Sequence, residues 1–155
     1  MSMIEGTQHQ STETSVLAAD AWALLLTEES LRLHSLGIRS GLISIDFSSA
    51  SDAALWRDRA VRLLRRALRP TDRIGITSDT SIAVLQAPLQ TLTELERTAR
   101  QIDVHLQGAG LTAAIGYAHR RTGEELLDTF ARADAQADRA AFRREVASGD
   151  GLLLS

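Results

Sequence analysis

Arg69 and Asp72, an arginine and an aspartate three residues apart, are the pair of side chains best suited to bind a ligand. A planar guanidinium can donate two parallel hydrogen bonds to a phosphate, and a neighbouring carboxylate can accept hydrogen bonds. The same spacing at a helix end also forms a local ion pair, which stabilises a protein by less than about 1 kcal/mol. Spacing alone favours the interpretation as an ion pair, and a ligand site is the alternative interpretation.

A polar hairpin tip follows this pair. The apolar runs Ile74–Ile76 and Ile82–Leu85 flank small hydroxyl residues and one aspartate. Such side chains are weak candidates for catalysis, and the sequence contains no visible pairing of a nucleophile with a base. The histidines have no metal-ligand spacing. We therefore expect no catalytic residue, no metal and no cofactor.

Charge is distributed unevenly along the chain. The 155 residues carry a net charge of −3, which gives no overall basic field to attract nucleic acid. All 17 basic residues are arginine, and seven of them fall between Arg57 and Arg73. Helical spacing places Arg59, Arg62, Arg66 and Arg69 on one face. A solvated face is the favoured interpretation of this pattern, and a phosphate-binding surface is the alternative.

Composition indicates one folded domain. Hydrophobic residues make up 44% of the chain, and cysteine is absent, which excludes disulfides and thiol chemistry. No apolar run approaches the roughly 18 residues that a membrane helix needs, and no secretory signal is visible. We expect a cytoplasmic protein with a disordered leader or added residues at 1–14, a domain at 15–147 and a tail at 148–155 that could add an edge strand.

Hydrophobic periodicity predicts the elements that position Arg69 and Asp72. From Gly41 their order is β-α-β-β-α-β-α, which predicts an α+β fold with a ferredoxin-like β-α-β-β-α-β core. The sheet is expected to be antiparallel with its helices packed on one face. The predicted helices are 15–35, a second from Ser51-Asp52 to Pro70, 95–106 and 126–140, and the predicted strands are 41–47, 72–77, 80–87 and 111–118.

Several colinear segments resemble the GGDEF domains of diguanylate cyclases, which make cyclic di-GMP from two GTP molecules. The family has an R-x-x-D motif, five residues and then the Gly-Gly-Asp-Glu-Phe hairpin. Here Arg69 and Asp72 are followed by residues 73–77 and then by "SDTSI" at 78–82. The segments "LTAAIGYA" and "ARADAQADRA" are similar to the family's later strand and helix. The resemblance implies the nucleotide-cyclase type of ferredoxin-like fold.

The signature positions depart from the family's pattern. Thr80 and Ser81 stand at the metal and catalytic positions, and neutral hydroxyls cannot replace carboxylates in holding two Mg²⁺ ions. Ser78 and Asp79 replace the two glycines that let the backbone approach phosphates. Asp46 is a single carboxylate where the family has a pair. The resemblance therefore implies a degenerate domain without cyclase activity.

In the family the R-x-x-D motif is the inhibitory site that binds cyclic di-GMP. The resemblance thus implies a receptor or regulatory module that binds cyclic di-GMP through Arg69 and Asp72. Arginine suits a phosphate or the guanine O6/N7 edge, and aspartate suits the guanine N1 and N2 donors. Arg100, or Arg97, is implied as the second arginine of the site. A homodimer favoured by the ligand and an adjoining output domain or protein partner are also expected.

Two alternatives remain open. One is a dimerisation or protein-interaction module that binds no nucleotide. The other is a residual enzyme that binds GTP, or turns it over weakly, with Asp46 and Asp79.

Overall fold

The computed structural model describes the backbone of residues 14–154 and the side chains of residues 14–144 and 146. The leader predicted for residues 1–14 lies outside the described residues except for Thr14. Thr14 is buried, and its hydroxyl donates a hydrogen bond of 2.9 Å to the carbonyl of Arg69. This residue therefore belongs to the folded domain.

Five strands and four helices make up the described chain. In chain order they are β1 (Ser15–Leu17), α1 (Ala19–Leu36), β2 (Gly41–Asp46), α2 (Ala53–Ala67), β3 (Arg73–Ser78), β4 (Ser81–Gln86), α3 (Glu94–Gly108), β5 (Ala114–His119) and α4 (Leu126–Leu154). The sheet order is β1-β3-β4-β2-β5, with β1 parallel to β3 and the other pairs antiparallel. The predicted ferredoxin-like core, β2-α2-β3-β4-α3-β5, is confirmed.

Helices cover both faces of the sheet. The two crossover helices α2 and α3 bury Ala60, Leu64 and Ile102 on one face, as predicted. On the other face, Trp22 and Leu26 of α1 pack in a second cluster with residues at the start of α4. The prediction of helices on one face was therefore incomplete, because it considered only the two crossover helices of the core.

Two glycines allow close packing against the second face. A Cβ atom at Gly75 in β3 would overlap the indole ring of Trp22. A Cβ atom at Gly116 in β5 would overlap the backbone of α4 at Ala133 and Ala137. Both positions need glycine because a helix residue occupies the space that a side chain would fill.

Two terminal elements differ from the prediction. Residues 15–17, predicted as the start of a helix, form β1 and extend the sheet beside β3. The tail, for which an edge strand was possible, continues α4 to Leu154. Since β1 already pairs with β3, the N-terminal part of the domain supplies the extra edge strand.

Candidate functional site

The side chain of Arg69 is fixed by Asp72. One oxygen of Asp72 accepts hydrogen bonds from Nε and Nη2 of Arg69 at 3.2 and 2.9 Å, and the other accepts from the Arg69 backbone N–H at 3.0 Å. The side chain of Asp72 has no exposed surface, whereas that of Arg69 is 38% exposed. Asp72 therefore lies on the buried side of Arg69, and Arg69 lies between Asp72 and solvent.

Two further groups bind the guanidinium from other parts of the chain. The Nη2 atom donates to the carbonyl of Pro88 at 3.2 Å, and Nη1 donates to Oε1 of Glu94 at 3.2 Å. The second oxygen of Glu94 accepts a hydrogen bond of 2.7 Å from the backbone N–H of Gln90. Glu94 thus connects the start of α3 both to the preceding loop and to Arg69.

An open cleft of 210 Å³ lies beside these groups. Its lining brings together Arg69, Asp72 and Arg97, three of the residues predicted for the ligand site. Arg97 is exposed, and no side-chain partner for it is found among the described side chains, those of residues 14–144 and 146. Arg100 does not line the cleft; its side chain is 78% exposed and binds Glu96 at 2.8 Å. The cleft is also lined by Ala67, Leu68, Gln86, Glu94, Thr98 and Gln101.

The hairpin tip lies at the opposite end of β3, about 17 Å along the strand from the Arg69 site. Asp46, Ser78, Thr80 and Ser81 line a second cleft, of 310 Å³. The hydroxyl of Ser81 lies 2.6 Å from that of Ser78. Four of the five predicted degenerate active-site residues are therefore brought together, and neutral hydroxyls form one wall of the cleft.

Asp79, the fifth of the predicted degenerate active-site residues, does not line this cleft. Its side chain is fully exposed at the turn, and its carboxylate lies 4.0 Å from Arg57. Asp46 is half-buried, and its two oxygens accept hydrogen bonds from the backbone N–H and hydroxyl of Ser48 at 2.8 and 2.9 Å. The two carboxylates on which a residual enzyme would depend are therefore not brought together on this cleft.

Two carboxylates that the sequence analysis missed line the cleft. Asp134 and Asp138 project from α4, and Asp134 accepts a hydrogen bond of 2.9 Å from Ser44. Loss of hydration and the nearby charges of Asp134 and Asp46 raise the pKa of Asp138. Their spacing of four residues on one helix was a usable signal. Among the described residues, no group of three or more histidines, cysteines or acids is arranged to hold a metal ion.

The arginine face of α2 is separate from both clefts. Arg59, Arg62 and Arg66 line an open groove of 440 Å³. Arg69 does not continue this face, because α2 ends at Ala67 and the Arg69 side chain turns to Asp72. The predicted four-residue face is thus reduced to three. Within residues 14–154, none of the helices combines the length and hydropathy that a membrane span needs.

No protein-family model matches the chain, and no curated protein matches it. Solved structures do match. The GGDEF domain of DgcB from Caulobacter crescentus, in complex with c-di-GMP, has a TM-score of 0.64 at 13% identity, over 80% of this chain and 82% of that one. The GGDEF domain of FimX from Pseudomonas aeruginosa has a TM-score of 0.64 at 16% identity, over 81% and 89%.

A diguanylate cyclase, SiaD from Pseudomonas aeruginosa in complex with its activator SiaC, has a TM-score of 0.69 at 19% identity, over 81% of this chain and 55% of that one. These similarities establish the fold. The chain has the α+β architecture of GGDEF domains, as the segments at 69–82 and 111–140 indicated.

Proposed function

We propose that the chain is a regulatory module that binds cyclic di-GMP and does not synthesise it. The observation that carries the proposal is the cleft beside Arg69, on which two arginines converge. Two guanidinium groups suit a ligand with two phosphates and guanine edges. Solved complexes of the same fold with c-di-GMP support this choice of ligand. A cytoplasmic location remains part of the proposal.

The arginines and Asp72 have different roles in this proposal. Arg97 is the exposed cation that meets the ligand, and Arg69 is the second guanidinium group on the cleft. Asp72 is a positioning residue, because it is buried and both its oxygens are engaged by Arg69. Asp72 was predicted to accept hydrogen bonds from guanine; in this proposal another polar group of the cleft, such as Gln101, accepts them instead.

Inactivity is proposed from the hairpin tip. Two Mg²⁺ ions bridging a triphosphate need several hard, charged oxygen ligands. Thr80 and Ser81 contribute neutral hydroxyls, and Asp79 is directed into solvent. Incubation with GTP and Mg²⁺ or Mn²⁺, followed by chromatography, is expected to yield no cyclic di-GMP. Multiple turnover would instead favour the residual enzyme.

The binding site is tested by calorimetric titration of cyclic di-GMP into matched arginine variants. Arg97→Ala removes a charge-assisted contact and should weaken binding about tenfold or more. Its stability should be unchanged, since Arg97 is exposed. Arg100→Ala and Arg143→Ala remove equal charge away from the cleft and should bind like the parent. Equal affinity in all four proteins would place the ligand elsewhere or exclude this site.

A protein-interaction module remains the second candidate because α1 exposes large apolar side chains. Leu24 and Leu31 are 60% and 73% exposed and lie two turns apart. Light scattering with and without cyclic di-GMP separates the two proposals. A mass that doubles only with ligand supports the ligand-favoured homodimer. A constant dimer that binds no nucleotide supports the interaction module.

A further inference from the structure

Arg69 has almost no free hydrogen-bonding capacity. A guanidinium has five N–H donors. Four are used within the protein, two by Asp72 and one each by Pro88 and Glu94. A phosphate that receives a fork needs two parallel N–H groups. One N–H group of Arg69 is left, so a phosphate that takes a fork from Arg69 must displace at least one of these partners.

Glu94 is the partner that can be displaced. Asp72 is fully buried and binds Arg69 through both the side chain and the backbone. The Glu94 side chain is 23% exposed, reaches Arg69 from another element, and makes a single contact of 3.2 Å to Nη1. Release of Glu94 would leave both N–H groups of Nη1 free, so that Nη1 could donate to an anion without competition from Glu94.

Glu94 also opposes an anion by its charge. Its carboxylate lines the same cleft as Arg69 and Arg97, so a phosphate entering there meets a negative charge at close range. Little solvent screening acts over such a distance in a partly buried site. The two effects, competition for Arg69 and repulsion of phosphate, act in the same direction.

We propose that Glu94 is an internal counter-ion that occupies Arg69 and limits the affinity of the cleft for phosphate-bearing ligands. The residue therefore determines affinity through Arg69 and makes no attractive contact with the ligand. For cyclic di-GMP as the ligand, the inference rests on the function proposed above. The occupation of Arg69 by Glu94 can be tested separately.

The first measurement is calorimetric titration of cyclic di-GMP into Glu94→Gln. Glutamine at this position can still accept the Gln90 N–H bond while it loses the negative charge. Binding should become about 10- to 100-fold tighter than in the parent. The matched control is Glu96→Gln, which removes the same charge two residues away, outside the cleft, and should bind like the parent. Unchanged or weaker binding in Glu94→Gln would overturn the proposal.

The second measurement needs no nucleotide. Phenylglyoxal modifies accessible arginines, and mass spectrometry of digested protein gives the rate at Arg69. This rate should rise severalfold in Glu94→Gln and stay at the parental value in Glu96→Gln. No rise would overturn the counter-ion role. A rise without any cyclic di-GMP binding would support the counter-ion role and reject cyclic di-GMP as the ligand.

Discussion

At the scale of single residues, burial separates two aspartate–arginine pairs that have similar bond lengths. Asp72 and Arg69 are 2.9 Å apart, as are Asp58 and Arg57. Asp72 has no exposed side-chain surface, whereas Asp58 is 55% exposed. Solvent screens the second pair, and an exposed pair contributes little to stability. The buried carboxylate therefore has the larger effect on folding.

Asp72→Asn should accordingly lower the free energy of unfolding by roughly 1.5–3 kcal/mol, because two charge-assisted hydrogen bonds are lost. Asp58→Asn should change it by less than about 0.5 kcal/mol. Urea unfolding followed by circular dichroism measures both. Equal losses would show that the Asp72 pair behaves as a surface ion pair.

Arg69 and Asp72 could be predicted from sequence because they form a local motif, whereas Arg97 was named through the family resemblance, as an alternative to Arg100. Sequence reasoning missed Glu94, whose contact with Arg69 joins residues 25 positions apart. Asp138 could have been predicted from the sequence, because it lies four residues after Asp134 in a predicted helix. Neither pattern shows which carboxylates face a cleft, since that depends on how α3 and α4 pack.

At the scale of elements, the approach of α4 to β5 depends on the missing side chain of Gly116. A Cβ atom there would meet helix backbone, which cannot move aside as a flexible side chain can. Gly108, at the end of α3, has open space around its Cβ position. The two glycines therefore make a matched pair for substitution by alanine.

Gly116→Ala should lower the free energy of unfolding by about 2–3 kcal/mol through overpacking. Gly108→Ala should be neutral or stabilising by about 0.5 kcal/mol, since alanine favours the helix and restricts the unfolded chain. Thermal unfolding of both variants tests this. A normal midpoint for Gly116→Ala would contradict the close packing of α4.

Local patterns predicted most elements but not β1, because three residues are too few to have a period. The second helical layer had a signal that was not used. Leu42, Ile43 and Ile45 form a nearly continuous apolar run, and a strand buried on both faces needs a layer on each side. The run predicted a buried strand without identifying α1 and α4 as the second layer.

At the scale of the whole molecule, hydrogen bonds of Glu124 connect the loop after β5 to α4. Arg132 donates to both Glu124 oxygens at 2.6 and 3.0 Å, and Thr129 adds a bond of 2.7 Å. Hydrogen bonds from Arg132 lower the pKa of Glu124 from 4.5 to about 2. A lowered folded-state pKa means that the unfolded chain binds this proton more readily. The resulting stability is complete above pH 4.5 and is lost as the pH falls towards 2.

Glu124→Gln should therefore be less stable than the parent at pH 6, by about 2 kcal/mol. The difference should shrink as the pH approaches 2, because protonation removes the same charge from the parent. Urea midpoints at pH 6, 4 and 3 follow the convergence. Glu125→Gln, at the next and exposed position, is the control and should stay close to the parent. A pH-independent difference would contradict the charge-based account.

The three residues of β1 also have a consequence for association. They pair with Arg73–Gly75, and so cover the backbone N–H and C=O groups at the outer edge of β3. An uncovered strand edge is a template on which another chain can add a strand. β1 thus protects the edge of β3 from edge-to-edge aggregation. Thr14 holds β1 in place through its hydrogen bonds to the carbonyls of Arg65 and Arg69. Loss of this short strand would expose the edge of β3 to self-association, and it would also remove Val16 and Leu17 from the two apolar clusters.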